Sequence, residues 1–153
     1  MFTAIQLPPR APKPRTTGLT AITDLGQPVG MLRDHLASYH DYIDIAKFGV
    51  GSAYLELRLA EKLALYREFN VIPYFGGTLF EKFHAQNQVP AYLDYLRKHK
   101  VDWIEISNGT VDYPLTERLK LVKQLIGEFR VIAEVGCKDV NQVMPPSEWI
   151  EEL

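Results

Sequence analysis

Val71-Ile72-Pro73-Tyr74-Phe75-Gly76-Gly77-Thr78-Leu79-Phe80-Glu81 is the stretch whose reading decides the fold. Its first half is an unbroken apolar run, the pattern of a parallel strand covered on both faces. Its second half is a glycine corner leading toward a helix start. Pro73 argues against a central antiparallel strand and is tolerable near a strand end. The same pattern recurs on both sides: apolar runs over residues 19–24, 42–47, 103–107 and 131–134 each stop at a polar or glycine-rich corner. Three of these runs carry a charge out of the strand, at Asp24, Lys47 and Glu134.

The intervening segments read as helices. A short helix is expected over residues 31–39. Ser52 is placed to cap the next, with Leu55, Leu59, Leu63 and Tyr66 as its buried stripe and Asn70 at its close. A third covers 90–99, with proline at its start, Tyr92, Leu93 and Leu96 on one side, and Arg97, Lys98 and Lys100 near the negative end of its dipole. A fourth carries Leu115, Leu119, Val122 and Ile126 as its apolar face, and Pro145-Pro146-Ser147 opens a last one. Strands alternating with helices make βαβ units and a parallel sheet. Right-handed crossovers then leave an open doubly wound sheet or an arc of a β/α barrel, and periodicity does not choose between them. In both, the residues just past the strand C-termini gather on one rim, where chemistry is expected.

At 153 residues, with 46% hydrophobic and 24% charged residues, the chain can bury one sizeable core. A net charge of -2 gives no broad field for nucleic acid or an anionic membrane. The lone Cys137 cannot form an internal disulfide, and no apolar stretch is long enough for a membrane span. A cytoplasmic enzyme or binding protein is the default, and a homo-oligomer is compatible with it. Residues 1–17 hold Pro8, Pro9, Pro12 and Pro14 among Arg10, Lys13 and Arg15, an extended arm set apart from a partial barrel domain over 18–153. His35, His40, His84 and His99 show no metal-ligand spacing.

The corners do choose. Gly18-Leu19-Thr20, Asp44-Ile45-Ala46-Lys47-Phe48-Gly49, Gly76-Gly77-Thr78-Leu79-Phe80-Glu81, Glu105-Ile106-Ser107-Asn108-Gly109 and Glu134-Val135-Gly136-Cys137-Lys138 resemble, in order, the phosphosulfolactate synthase family. The resemblance covers roughly residues 13–150 and implies a (β/α)8 TIM-barrel lyase, of which this chain carries the first five βα units. It implies addition of sulfite to phosphoenolpyruvate, with magnesium, to give 2-phospho-3-sulfolactate on a route to coenzyme M or sulfolactate. Magnesium prefers oxygen ligands, so Asp24, Glu105 and Glu134 are the metal candidates, with helix capping or pairing to Lys47 and Lys138 as their alternative roles. Lys138 matches the lysine expected to donate the proton. Lys47 ends an apolar strand, where a lysine either points into a polar cavity or braces the barrel against Asp24 or Glu134. Gly76, Gly77 and Thr78 offer backbone N–H groups to phosphate or sulfonate oxygens, or simply permit a sharp turn. Ser107 bonds either substrate or its own loop. Glu81 reads as a helix-start acid and ranks below the other three carboxylates.

The chain departs from the family pattern at Leu25, where a lysine is usual, and at Cys137 and Asn108, which replace a lysine and an acid. The alternative reading is a noncatalytic member of the superfamily, resembling plant heat-stress-associated proteins.

Overall fold

The computed structural model describes residues 5–6, 8–136, 138–139, 141 and 143–152. Five parallel strands, β1 (Ala21–Asp24), β2 (Ile45–Phe48), β3 (Ile72–Phe75), β4 (Trp103–Ile106) and β5 (Arg130–Ala133), lie side by side in chain order. The helices between and after them are α1 (Val29–Tyr39), α2 (Ser52–Leu55), α3 (Leu59–Glu68), α4 (Gly77–Ala85), α5 (Val89–Lys98), α6 (Leu115–Leu125) and α7 (Pro146–Glu152). A doubly wound sheet reverses its strand order at a switch point; an order that never reverses is the arc of a β/α barrel. This is an α/β fold matching the first part of a TIM barrel.

Register sorts the side chains into two faces. Asp24, Phe48, Phe75, Ile104 and Val131 share one row. Phe48, Phe75 and Ile104 in that row are buried in the core with Leu36, Leu63, Tyr66, Phe80, Tyr92 and Leu96. The opposite, inward face carries the row Thr23, Lys47 and Tyr74 and, two residues further along on the last two strands, Glu105 paired with Ile132.

Pro73 lies inside β3, opposite Ala46. The N–H groups of Ile72 and Gly76 point to β2, bonding the carbonyls of Asp44 and Phe48. Alternation therefore aims position 73 at β4, where proline has no donor to give. Accordingly β3 and β4 register only at Phe75 and Ile104.

Three sequence expectations are corrected. Ser52 does not cap a helix: its hydroxyl bonds the carbonyl of Asp24, and the chain breaks between α2 and α3. That break takes Leu55 out of the stripe and into solvent, while Leu59, Leu63 and Tyr66 are buried as expected. On α6 the buried face is Arg118 and Leu125, flanked by Leu121 and Val122, and both Leu119 and Ile126 are exposed. The true stripe is rotated by one position and runs through an arginine that a hydrophobicity pattern passes over. The expectation for Cys137 lies outside the described residues.

The described residues of the arm form no helix or strand, yet they are tied to the N-terminal ends of the strands. Arg15 and Arg10 reach the two oxygens of buried Asp44 at 2.7 and 3.1 Å, and the Thr20 N–H adds a third contact at 2.8 Å. Lys13 donates to the carbonyls of His40 and Phe69. Burial pushes the Asp44 carboxyl up, but the Thr20 N–H and the two guanidinium groups outweigh it and hold its pKa below the usual value. A depressed carboxylate contributes stability that is present above the unfolded pKa of about 4 and is lost as pH falls through the folded value. Replacing Asp44 with Asn should therefore lower stability by about 1–3 kcal/mol at pH 7, the range for charge-assisted hydrogen bonds. In urea titrations the gap between wild type and D44N should close below pH 4; a gap of constant size would contradict this role.

Candidate active site

Four charged side chains meet at the C-terminal rim of the inward face. Glu105, at the end of β4, is buried and stands at the centre. Its Oε1 lies 2.7 Å from Lys47 Nζ and accepts the Gly77 N–H at 2.6 Å, while its Oε2 accepts the Tyr74 hydroxyl at 3.0 Å. Glu134, just past β5, places Oε2 3.6 Å from Lys47 Nζ and 3.4 Å from Lys138 Nζ. Lys138 also donates to Thr78 Oγ1 at 3.2 Å, and its Nζ lies 3.7 Å from Glu81 Oε1.

The two acids divide their charge. Burial pushes Glu105 up, but hydrogen bonds with Lys47, Glu134 and Gly77 overcome it and leave its pKa below the usual range. Glu134 moves the other way: burial, a hydrogen bond with Glu105 and the charge of Glu105 all raise it, against the smaller pull of Lys47 and Lys138. Glu105 is thus the more firmly charged of the two acids, and both stand within 3.6 Å of Lys47 Nζ.

The family model described as (2R)-phospho-3-sulfolactate synthase (ComA) matches residues 8–153. The chain belongs to this family. It is 38% identical over 152 residues to the phosphosulfolactate synthase of Bacillus subtilis (strain 168), a match covering 98% of this chain and 60% of that relative. It is 42% identical over 135 residues to the phosphosulfolactate synthase of Methanothermobacter thermautotrophicus, covering 86% of this chain and 52% of the relative. A third, from Methanocaldococcus jannaschii, is 36% identical over 124 residues, covering 79% and 49%. The chain spans about half the length of the curated relatives it matches.

Of the residues singled out by the family resemblance, Lys47, Glu105, Glu134, Lys138, Gly76, Gly77 and Thr78 come together, and Asp24 does not. Asp24 shares its row with Phe48, on the helix-facing side of β1. There it is fully buried, 2.7 Å from Lys62 Nζ, and accepts hydrogen bonds from the Tyr66 hydroxyl and the Gly26 N–H. It lies one residue out of phase with the inward Thr23 and Lys47 pair, and a strand's alternation sends it to the opposite face. Ser107 is also fully buried, and its hydroxyl donates to Glu81. Leu25 is exposed, and Asn108 accepts a hydrogen bond from Arg118.

Gly76 and Gly77 are required by close approach. A Cβ on Gly76 would stand 2.8 Å from Lys47 Cε and 3.0 Å from the Phe48 carbonyl. One on Gly77 would overlap Ser107 Oγ and stand 2.9 Å from Glu105 Oε1. The N-terminus of α4 can therefore press directly onto the side chains of β2 and β4.

One contributor was ranked too low in the sequence reading, Glu81, and one escaped it, Arg118. Glu81 is the fifth residue of α4 and fully buried, and accepts from Ser107 Oγ, the N–H groups of Gly109, Thr110 and Val111, and Thr110 Oγ1. Burial raises its pKa, but the Ser107 and Thr110 bonds and the charge of Lys138 bring it below the usual value. Starting α4 at Gly77 would have put Glu81 one turn on, facing the same neighbours as Gly77. Arg118, almost fully buried on α6, joins Asn108 Oδ1 at 2.8 Å, the Glu134 carbonyl at 3.5 Å and Glu152 at 2.7 Å. The spacing of 118, 121, 122 and 125 was its available signal.

Among the described residues no group of three or more His, Cys, Asp or Glu side chains is arranged to hold a metal ion. Glu105 and Glu134 supply two carboxylates, and Glu134 Oε2 is buried without a hydrogen bond. Magnesium keeps several waters and commonly takes only one or two protein carboxylates alongside substrate oxygens. The residues fit magnesium in that manner. Two cavities, of about 560 and 820 Å3, open instead at the N-terminal rim beside the arm, lined by Lys13, Arg15, Asn70 and their neighbours. They contain none of the four charged groups.

Gly77→Ala should lower stability by about 1–3 kcal/mol in urea unfolding, the usual range for overpacking a tight site. Gly127, whose added Cβ would meet nothing within 4 Å, is the control. Its alanine variant should stay within about 0.5 kcal/mol of wild type.

Proposed function

We propose that the protein adds sulfite to phosphoenolpyruvate, giving 2-phospho-3-sulfolactate, at the rim where Lys47, Glu105, Glu134 and Lys138 converge. That convergence is the observation that carries the reading. The family membership supports it.

In the addition, the sulfur lone pair of sulfite forms a C–S bond to C3 of phosphoenolpyruvate. The C2–C3 π pair moves onto C2 and the adjoining carboxylate, and a proton then closes C2. Lys47, fixed by Glu105 before substrate arrives, is a preorganised positive charge for the anionic groups of both substrates. Lys138, more exposed and held by longer contacts, delivers its proton to C2. A magnesium ion bound by Glu105 and Glu134 would neutralise the charge gathering on the substrate carboxylate, more in the transition state than before it. Because the Gly77 N–H is engaged by Glu105, anion contact at the start of α4 is assigned to Thr78. Asp24 and Ser107 act as supports of the fold. Both substrates are small anions expected in a cytoplasmic setting.

The test uses protein from the whole reading frame, with phosphoenolpyruvate, sulfite and magnesium, and product followed by phosphorus NMR. A sulfite-dependent organic phosphate should form and should vanish on chelation of magnesium. Lys138→Ala should lower kcat about 100-fold or more, the range for removing a general acid, while Lys47→Ala should raise KM for phosphoenolpyruvate. Absence of sulfite-dependent product at every magnesium concentration would remove this function, and full turnover by K138A would remove Lys138 as its proton donor.

A further inference from the structure

Lys138 sits in a seat that none of its own sequence neighbours could build. Its backbone N–H bonds the Gly109 carbonyl at 3.0 Å. Its aliphatic stem runs across Gly109 so closely that an added Cβ there would lie 3.0 to 3.2 Å from Cγ, Cδ and Cε. Gly109 is not among the residues with positive φ, so glycine is needed here for room and not for backbone freedom. The head of the lysine meets Thr78 and Glu81, one turn apart on α4. Glu81 in turn binds the loop carrying Gly109 through five donors of residues 107–111.

We propose that Glu81 is a positioning residue which, by holding the 107–111 loop against α4, sets Gly109 as the floor under Lys138 and so fixes the direction in which Nζ points. The proposal rests on the reading of Lys138 as proton donor. Glu81 itself is fully buried beneath the loop, out of reach of solvent. Its five accepted bonds and its ion pair to Lys138 make one carboxylate responsible for both the loop's shape and the lysine's placement. Misplacing a reacting group by about 1 Å can cost on the order of 100-fold in rate.

Two variants of the whole protein test this: Glu81→Gln, which keeps the shape but loses the charge, and Gly109→Ala, which leaves every carboxylate in place and lifts the lysine stem. Circular dichroism establishes that each is folded, and G109A carries the test if E81Q is not. Each folded variant should lose about 10-fold or more in kcat while KM for phosphoenolpyruvate stays within about threefold, because positioning of a proton donor is felt after binding. A readout independent of turnover accompanies it: acetic anhydride labelling of Lys138, quantified by peptide mass spectrometry against exposed Lys123. In both variants the relative labelling of Lys138 should change at least about threefold as its placement is lost. If wild type forms no sulfite-dependent product, the proposed reaction falls while the labelling still decides the seat. Unchanged labelling in a folded variant, or unchanged kcat in an active one, overturns the proposal.

Discussion

The carboxylate of Glu105 is the constraint on which the rim depends. A buried anion at a strand end is tolerable only if charge and hydrogen bonds surround it, and each donor here comes from a different element: Lys47 from β2, Tyr74 from β3 and Gly77 from the start of α4. Satisfying Glu105 therefore sets the height of β2 and β3 against β4 and pulls α4 down onto the sheet. Only glycine at 76 and 77 permits that approach. The glycine corner is, in this light, a packing device first: the N–H that a phosphate could have used is turned inward to an acid.

The sheet was legible in the sequence because both faces of a parallel strand are covered, so each strand reads as an apolar run with a conspicuous end. The corner of residues 76–81 was legible for the same reason. Helix faces were harder. Leu55, Leu119 and Ile126 have the spacing of a buried stripe and are exposed, while Arg118, which a hydrophobicity pattern excludes, occupies the interior. Phase was the other obstacle. Asp24 and Lys47 both stand at strand ends, yet register pairs Lys47 with Thr23 and sends Asp24 to the helices. Sequence locates a strand end to within a residue, and one residue decides which face a side chain enters.

The buried charges at the two ends of the strands do different work. At the N-terminal end Asp44 is closed by Arg10, Arg15 and Thr20, an ion cluster that fastens the arm. Asp24, though at the C-terminal end, is closed in the same manner by Lys62 and Tyr66. At the inward rim the pairing is incomplete: Glu134 keeps an oxygen without a hydrogen bond, 3.6 Å from Lys47 Nζ and 3.4 Å from Lys138 Nζ. A charged group whose partners are complete belongs to the scaffold, and one whose partners are deficient is available to a ligand.

The same criterion separates the two lysines. Lys47 is gripped at 2.7 Å by an acid that is itself fully satisfied, so its charge is fixed in space and reorganises little when an anion arrives, the condition under which a charge stabilises a transition state most. Lys138 has only longer contacts, 3.2 Å to Thr78, 3.4 Å to Glu134 and 3.7 Å to Glu81. Placement of Lys138 therefore draws also on its stem and backbone, which is where Gly109 meets it.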